Sequence, residues 1–110
     1  MPLSRRARIE IYLPTKNKAA YKRLRRAFEN EFLNTFGGCT AILGIRGIYM
    51  SVDGTTDFDE IDLIYADTTF DFQDNFEALS EYTDELKNAV LEVTSEESVL
   101  VVVQEVFHSI

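Results

Sequence analysis

The residues best suited to chemistry lie on strand-like segments of the chain. Glu10 and Tyr12 are one residue apart in a segment where apolar and polar side chains alternate, so both project from the same side of a strand. Arg8 precedes them at the same spacing, and Arg46 and Asp62 lie on two later apolar segments. Together these groups would bind a polar ligand or handle proton transfer. These five residues are the candidate ligand-binding set, and no residue is assigned a catalytic role.

Two carboxylates of this set, Glu10 and Asp62, fall on segments predicted to be neighbouring central strands. Held close together they would repel each other, which would raise one pKa and create an acid and base pair. The more ordinary interpretation is that each carboxylate is solvated or paired with a cation, Glu10 with Arg8 or Arg46 for example. The sequence leaves both interpretations open.

Three other groups are weaker candidates. Asp53, Asp57 and Asp59 could hold a calcium ion, but their spacing does not match an EF-hand loop, which favours solvated turn carboxylates. His108 lies two residues from the end of the sequence, where a frayed position is favoured over a catalytic one. Cys39 has no nearby histidine to activate it, which favours a small packed residue. We therefore expect neither a metal ion nor a cofactor.

Periodicity predicts six elements in the order strand, helix, strand, strand, helix, strand. The first helix follows Pro14 and takes Thr15 or Asn17 as its cap. Its apolar residues recur every fourth position until the glycine pair at 37–38. Asp71 is the predicted cap of the second helix. The predicted strands cover residues 7–13, 40–50, 61–66 and 98–107.

This order of elements predicts an α+β fold of the ferredoxin-like βαββαβ type, as a single domain covering residues 1–110. Right-handed crossovers lead to a four-stranded antiparallel sheet in the order 4-1-3-2, with both helices on one face. Gly44 and Gly47 interrupt the second strand and indicate a bulge or a closely approached backbone there. Residues 51–57 form the turn to the third strand.

The uncovered face of the sheet is where we expect function. The alternating apolar residues of the first strand turn toward the helices, which leaves Arg8, Glu10 and Tyr12 on the open face. The expected register sets Glu105 opposite Arg8 and Val101 opposite Tyr12. It adds four apolar side chains of the last strand to the open face: Val99, Val101, Val103 and Phe107.

Charge is distributed unevenly along the chain. The first 50 residues contain ten Lys and Arg against three Glu, whereas the rest contain one Lys and sixteen Asp and Glu, for a net charge of −8. This balance opposes nucleic-acid binding, and the aromatic box of RNA-recognition domains is missing. The absence of a Cys-x-x-Cys pair excludes a copper chaperone. The basic first helix is expected to pack along the acidic second helix or to contact an acidic protein partner.

The apolar stretches of the sequence indicate the compartment. The opening residues lack the apolar region of a secretory signal, and no apolar stretch approaches the roughly 20 residues needed to cross a bilayer. The one cysteine cannot form an internal disulfide. We expect a cytoplasmic protein with no membrane partner.

Several stretches carry a resemblance to known proteins: Arg-Gly-Ile-Tyr-Met-Ser at 46–51, Ile-Asp-Leu-Ile-Tyr at 61–65 and Glu-Ser-Val-Leu-Val-Val at 97–102. They resemble small bacterial proteins of uncharacterised function, especially cyanobacterial ones. The predicted topology also has a looser likeness to nitrogen-regulatory signalling proteins of the PII type. The long ligand loop of those proteins has no counterpart in the short segment 51–59, so the likeness does not imply nucleotide sensing.

The apolar last strand on an uncovered face favours a non-enzymatic module that self-associates as a dimer or trimer. Such a module would bind a small ligand or a protein partner. The alternative is a small enzyme of the dimeric α+β barrel kind, with a pocket on the open sheet face where Glu10, Tyr12, Arg46 or Asp62 transfers protons.

Overall fold

One antiparallel sheet and two helices make up the part of the chain that the computed structural model describes, residues 3–15, 19–96 and 99–109. The elements are β1 Leu3–Pro14, α1 Ala19–Phe36, β2 Thr40–Met50, β3 Thr56–Asp67, α2 Phe76–Val93 and β4 Leu100–Ser109. The sheet has the order β2-β3-β1-β4. The predicted α+β ferredoxin-like βαββαβ arrangement and strand order are confirmed.

The core lies between the helices and one face of the sheet. Ile9, Ile11 and Leu13 alternate along β1 and are almost completely buried, as the period-two pattern predicted. The helices cover them with one apolar stripe each. The buried helix residues of this core are Leu24, Phe28, Phe32, Leu79, Leu86 and Val90. The opposite face of β1, with Arg8 and Glu10, has no helix over it.

The ends of α1 agree partly with the prediction. Gly37 has φ of 85°, which glycine adopts without strain, and its N–H donates to the Leu33 carbonyl oxygen over 3.0 Å. The predicted glycine end of the helix is therefore confirmed. Thr15 is not the cap, because its hydroxyl donates to the Glu60 carbonyl oxygen on β3. Asn17 lies outside the described residues.

Helix α2 begins later than predicted. Asp71 Oδ1 accepts hydrogen bonds from the N–H groups of Gln73 and Asp74 at 3.0 and 3.1 Å, so it closes an isolated turn. Phe76 is the first helical residue, and Asn75 occupies the cap position. The prediction for Asp71 is wrong because an aspartate stabilises short turns and helix starts by the same hydrogen bonds.

A bulge at Gly44 sets the phase of β2. The register between β2 and β3 shifts between Ile42 and Ile45, and Gly44 has φ of 71°. The predicted bulge in this strand is confirmed. An extra residue moves all later side chains of β2 to the opposite face from the one that simple alternation would give.

The pairing of β1 with β4 differs by one residue from the prediction. Arg8 lies opposite Gln104, and Tyr12 lies opposite Leu100. A slip of one residue moves every β4 side chain to the other face. The prediction failed because consecutive apolar residues in β4 contain no alternation that fixes the phase. The side chains wrongly assigned to the open face therefore belong to the helix side, where three of them pack against the core: Val99, Val101 and Val103. Phe107 is on that side too, opposite Arg5.

The β2–β3 hairpin projects from the body of the molecule, and we name its residues 45–61 the arm. None of the arm residues is buried. The molecule measures 49 × 29 × 25 Å, and its radius of gyration of 15.3 Å exceeds the value of about 13 Å for a compact chain of this length. The arm carries a set of exposed large apolar side chains: Ile48, Tyr49, Met50, Val52 and Phe58.

Candidate functional site

Polar side chains from three strands meet on the open face of the sheet, and we name them the open-face cluster. Its members are Arg8, Glu10, Tyr12, Tyr65, Asp67, Gln104 and His108. The antiparallel register brings them together, because residues directly opposite each other project on the same side. Arg8, Glu10 and Tyr12 are therefore on the face that the sequence predicted.

Glu10 lies at the centre of the open-face cluster and is only 7% exposed although no helix covers it. The Tyr12 hydroxyl donates to Oε1 over 3.2 Å, and Gln104 Nε2 donates to Oε2 over 2.9 Å. Burial and the neighbouring Glu10 carboxylate raise the pKa of Tyr12, so its phenol stays protonated as a donor. The Glu10 carboxylate is thus a hydrogen-bond acceptor held in place beside the Tyr12 hydroxyl, which is a hydrogen-bond donor.

Arg8 and Asp67 form a bidentate ion pair between β1 and β3. Arg8 Nε donates to one carboxylate oxygen and Nη2 donates to the other over 3.0 Å. The guanidinium also lies 4.4 Å from the centre of the Tyr65 ring. The hydrogen bond from Arg8 lowers the pKa of Asp67 despite the opposing effect of burial. Asp67 therefore remains ionised at neutral pH.

His108 joins the cluster through Asp67. Its Nε2 lies 3.0 Å from Asp67 Oδ2, and β4 pairs His108 with Ser4. The expectation of a frayed position is wrong, because β4 continues to Ser109. The carboxylate partner that orients a functional histidine is present.

Asp62 is separated from Glu10 by the thickness of the sheet. It lies opposite Leu13 on the helix side and is 5% exposed. The Gly44 N–H donates to Oδ1 over 3.1 Å, and Arg25 Nη1 of α1 donates to Oδ2 over 3.4 Å. The proposed carboxylate pair therefore does not exist, and Asp62 instead fastens the bulge to α1. Asp62 and Arg25 also line a cavity of about 190 Å³ beside the start of α1.

Arg46 is likewise not on the open face. It lies opposite Glu60 across the two strands of the arm, and its guanidinium lies 4.2 Å from the centre of the Phe58 ring. The bulge at Gly44 explains the difference, because it reverses the alternation of β2 before Arg46. Two of the five predicted residues thus lie away from the cluster formed by the other three.

Tyr65, Asp67 and Gln104 were not recognised from the sequence, and His108 was set aside. Tyr65 and Asp67 continue an alternating series with Ile61 and Leu63, which a correct phase for β3 would have revealed. Gln104 depends on the register of β4, for which the sequence holds no marker.

The expected neutralisation of α1 by α2 is not observed. Between the described residues of the two helices there is no ion pair, and the hydrogen bond that joins them runs from the Tyr82 hydroxyl to Glu31. Lys22, Arg23 and Arg26 are exposed. The basic surface of α1 is therefore available to another molecule.

The carboxylates of the acidic turn accept hydrogen bonds from hydroxyl and amide donors of the same turn. Asp53 accepts two hydrogen bonds from Thr55, which lower its pKa, and the Ser51 hydroxyl donates to Asp57 over 2.6 Å. Within the described ranges no cluster of His, Cys, Asp or Glu is arranged to hold a metal ion. Cys39 is exposed rather than packed as predicted, and partial desolvation raises the pKa of its thiol.

The described helices include none long and apolar enough to cross a membrane. Neither a protein-family model nor a curated protein matches the chain. Among solved structures it is similar to the crystal structure of CutA1 from Oryza sativa, with a TM-score of 0.54 and 19% sequence identity over 94% of this chain and 82% of that chain. At this identity the similarity shows a shared fold alone. The resemblance to small bacterial proteins stays a prediction.

Proposed function

We propose that this protein is a non-enzymatic module that self-associates through its arm and binds a small ligand or protein partner at the open-face cluster. The observation that carries the proposal is the exposure of large apolar side chains on the arm. Ile48, Met50 and Phe58 are 62%, 79% and 54% exposed there. A monomer that leaves such a group of large apolar side chains in water forgoes a favourable burial of about 25 cal/mol for each Å².

Three of the exposed apolar side chains of the arm, Ile48, Met50 and Phe58, share one side of it. Ile48 lies opposite Phe58 and Met50 lies opposite Thr56, so they project in the same direction. The other side carries two aspartates, Asp57 and Asp59, beside Tyr49. A mainly apolar side and a more acidic side suit an interface on the first and solvent on the second.

The first experiment measures solution mass by size-exclusion chromatography with light scattering, at low and high salt. We expect the parent protein to be an oligomer whose mass persists at high salt, because apolar burial is not screened. A paired Ile48→Ser and Phe58→Ser variant should be monomeric. Leu33→Ser with Leu91→Ser is the matched control, since it removes two exposed leucines from the helices and should leave the mass unchanged. A monomeric parent at micromolar concentration would refute the proposal.

A small enzyme is the second candidate function, and the contact of Tyr12 with Glu10 favours it. A phenol donor beside a buried carboxylate is a suitable arrangement for proton transfer. Arg46 and Asp62 have no part in it, because they lie on the other side of the sheet.

A thermal-shift screen of small polar metabolites tests this second candidate. Compounds that stabilise the parent but not a Glu10→Gln and Tyr12→Phe variant would locate binding at the cluster. Conversion of such a compound, followed by NMR, would establish an enzyme. Binding without conversion supports a binding module, and equal binding by both proteins removes the cluster as the site.

A further inference from the structure

The two edges of the sheet are long, and β2 is regular beyond the bulge at Gly44. β2 and β4 are the outer strands and have 11 and 10 residues, so each has a row of backbone groups with no strand beside it. Neither strand contains proline or lysine, the residues that commonly protect an edge from pairing. Both edges are therefore able to accept another strand.

β4 carries a buried carboxylate oxygen that has no partner. Oε2 of Glu105 is inaccessible to solvent and accepts no hydrogen bond from any described residue. Glu105 is opposite Ala7 and projects to the helix side of the sheet, whereas the neighbouring Arg6 projects to the open side. A carboxylate with one buried oxygen that lacks a donor is costly, and a cation beside the exposed part of Glu105 would offset that cost.

β2 carries the matching cation. Arg46 is the only charged residue of β2, and Glu105 is the only acidic or basic residue of β4 apart from His108. Arg46 is exposed, and its cross-strand neighbour Glu60 forms no ion pair with it among the described contacts. Arg46 and Glu105 both project to the helix side of their own strand.

An antiparallel alignment of these two edges from different copies also matches their apolar residues. With Arg46 opposite Glu105, Ile48 comes opposite Val103 and Met50 comes opposite Val101. Val101 and Val103 line a groove of about 170 Å³ between β4 and α2, together with Phe72 and Phe76. The apolar side of the arm would therefore enter an apolar groove while the charges pair.

We infer that β2 of one copy adds to β4 of a second copy, with Arg46 bound to Glu105. This inference rests on the proposed self-association and names its contact. Each copy gives one edge and receives another, so the contact is between unlike surfaces and must close on itself to give a finite assembly.

Charge exchange tests this contact, with the dissociation constant measured by sedimentation velocity. Arg46→Glu and Glu105→Arg should each weaken association more than about tenfold, since each leaves a like-charge pair at a desolvated contact. The double variant Arg46→Glu with Glu105→Arg should restore the dissociation constant to within about threefold of the parent. Arg46→Glu with Glu60→Arg is the control for an effect inside one arm and should not restore it.

Cysteine cross-linking tests the alignment separately, in a Cys39→Ser background. The variant Ile48→Cys with Val103→Cys should form a disulfide between copies, because directly opposite residues satisfy disulfide geometry. The variant Ile48→Cys with Val102→Cys should not, since residues 48 and 102 project to opposite faces. Single charge variants without effect, or weakened association that the exchanged pair does not restore, would overturn the contact while self-association stands. A monomeric parent would overturn both.

Discussion

At the scale of single residues, the faces of β1 were predictable and those of β2, β3 and β4 were not. Arg8, Glu10 and Tyr12 alternate with buried apolar residues, so their common face followed from the sequence. Asp62 is followed by Leu63 and Ile64, which are both buried, and such a run fixes no phase. The candidate site was therefore half predictable, because its other half depends on register.

The ion pair of Arg8 with Asp67 predicts how stability depends on pH. The pKa of Asp67 is lowered in the folded protein, so its contribution is fully present above the unfolded value of about 3.9 and is lost as the pH falls toward the folded value. Asp67→Asn should be less stable by about 1–2 kcal/mol at pH 7, and the difference from the parent should shrink below about pH 4.

Urea unfolding between pH 7 and pH 3 measures this difference. Asp74→Asn, which alters an exposed carboxylate in the turn before α2, is the control and should differ from the parent by less than about 0.5 kcal/mol at pH 7. A difference between Asp67→Asn and the parent that stays constant with pH would contradict the assignment.

At the scale of elements, the six segments and their order followed from periodicity, and the strand order followed from topological rules. The lengths did not. β3 was predicted to start at Ile61 and starts at Thr56, because residues 56–60 are mostly polar and pair only within the exposed arm. The alternation of apolar and polar residues reflects which side chains are buried. A strand that is exposed on both sides therefore shows little alternation in its sequence.

Replacing glycine by alanine at two sites tests whether a positive φ, rather than a lack of room for a Cβ, requires the glycine. A Cβ at Gly44 or at Gly38 would meet no atom within 4 Å, but only Gly44 has a positive φ, of 71°. Gly44→Ala should reduce the free energy of unfolding by about 1–2 kcal/mol, whereas Gly38→Ala should not reduce it. Chemical denaturation of both variants measures this, and equal effects would show that the left-handed backbone at the bulge has no energetic weight.

At the scale of the whole molecule, the hydrophobic core that stabilises the fold lies in the body, and the arm contributes no buried residue to it. All buried core residues lie outside residues 45–61. The two layers of the body were predictable because they have a core. The excess apolar surface was predicted on β4 and lies on the arm, because the sequence does not indicate how far a hairpin projects.

Shortening the arm tests this separation. Replacing residues 47–59 by an Asn-Gly turn joins Arg46 to Glu60 with the connection that two paired strands prefer. We expect a folded protein with a cooperative unfolding transition and the mass of a monomer. Circular dichroism and light scattering provide the two readouts. Loss of the fold would show that the arm is part of the core energetics, and an oligomer of parental size would place self-association elsewhere.

Asp62 and Gly44 fix the point at which the arm is attached to the body. The arm leaves the body at the bulge, where the Gly44 N–H is bound to a carboxylate that Arg25 holds against α1. From there to Met50 the strand extends about 17–20 Å, so a rotation of about 10° at the bulge would carry the tip through about 3 Å. The orientation of the arm is therefore set at the bulge, and the buried carboxylate of Asp62 determines the position of the distant hairpin tip.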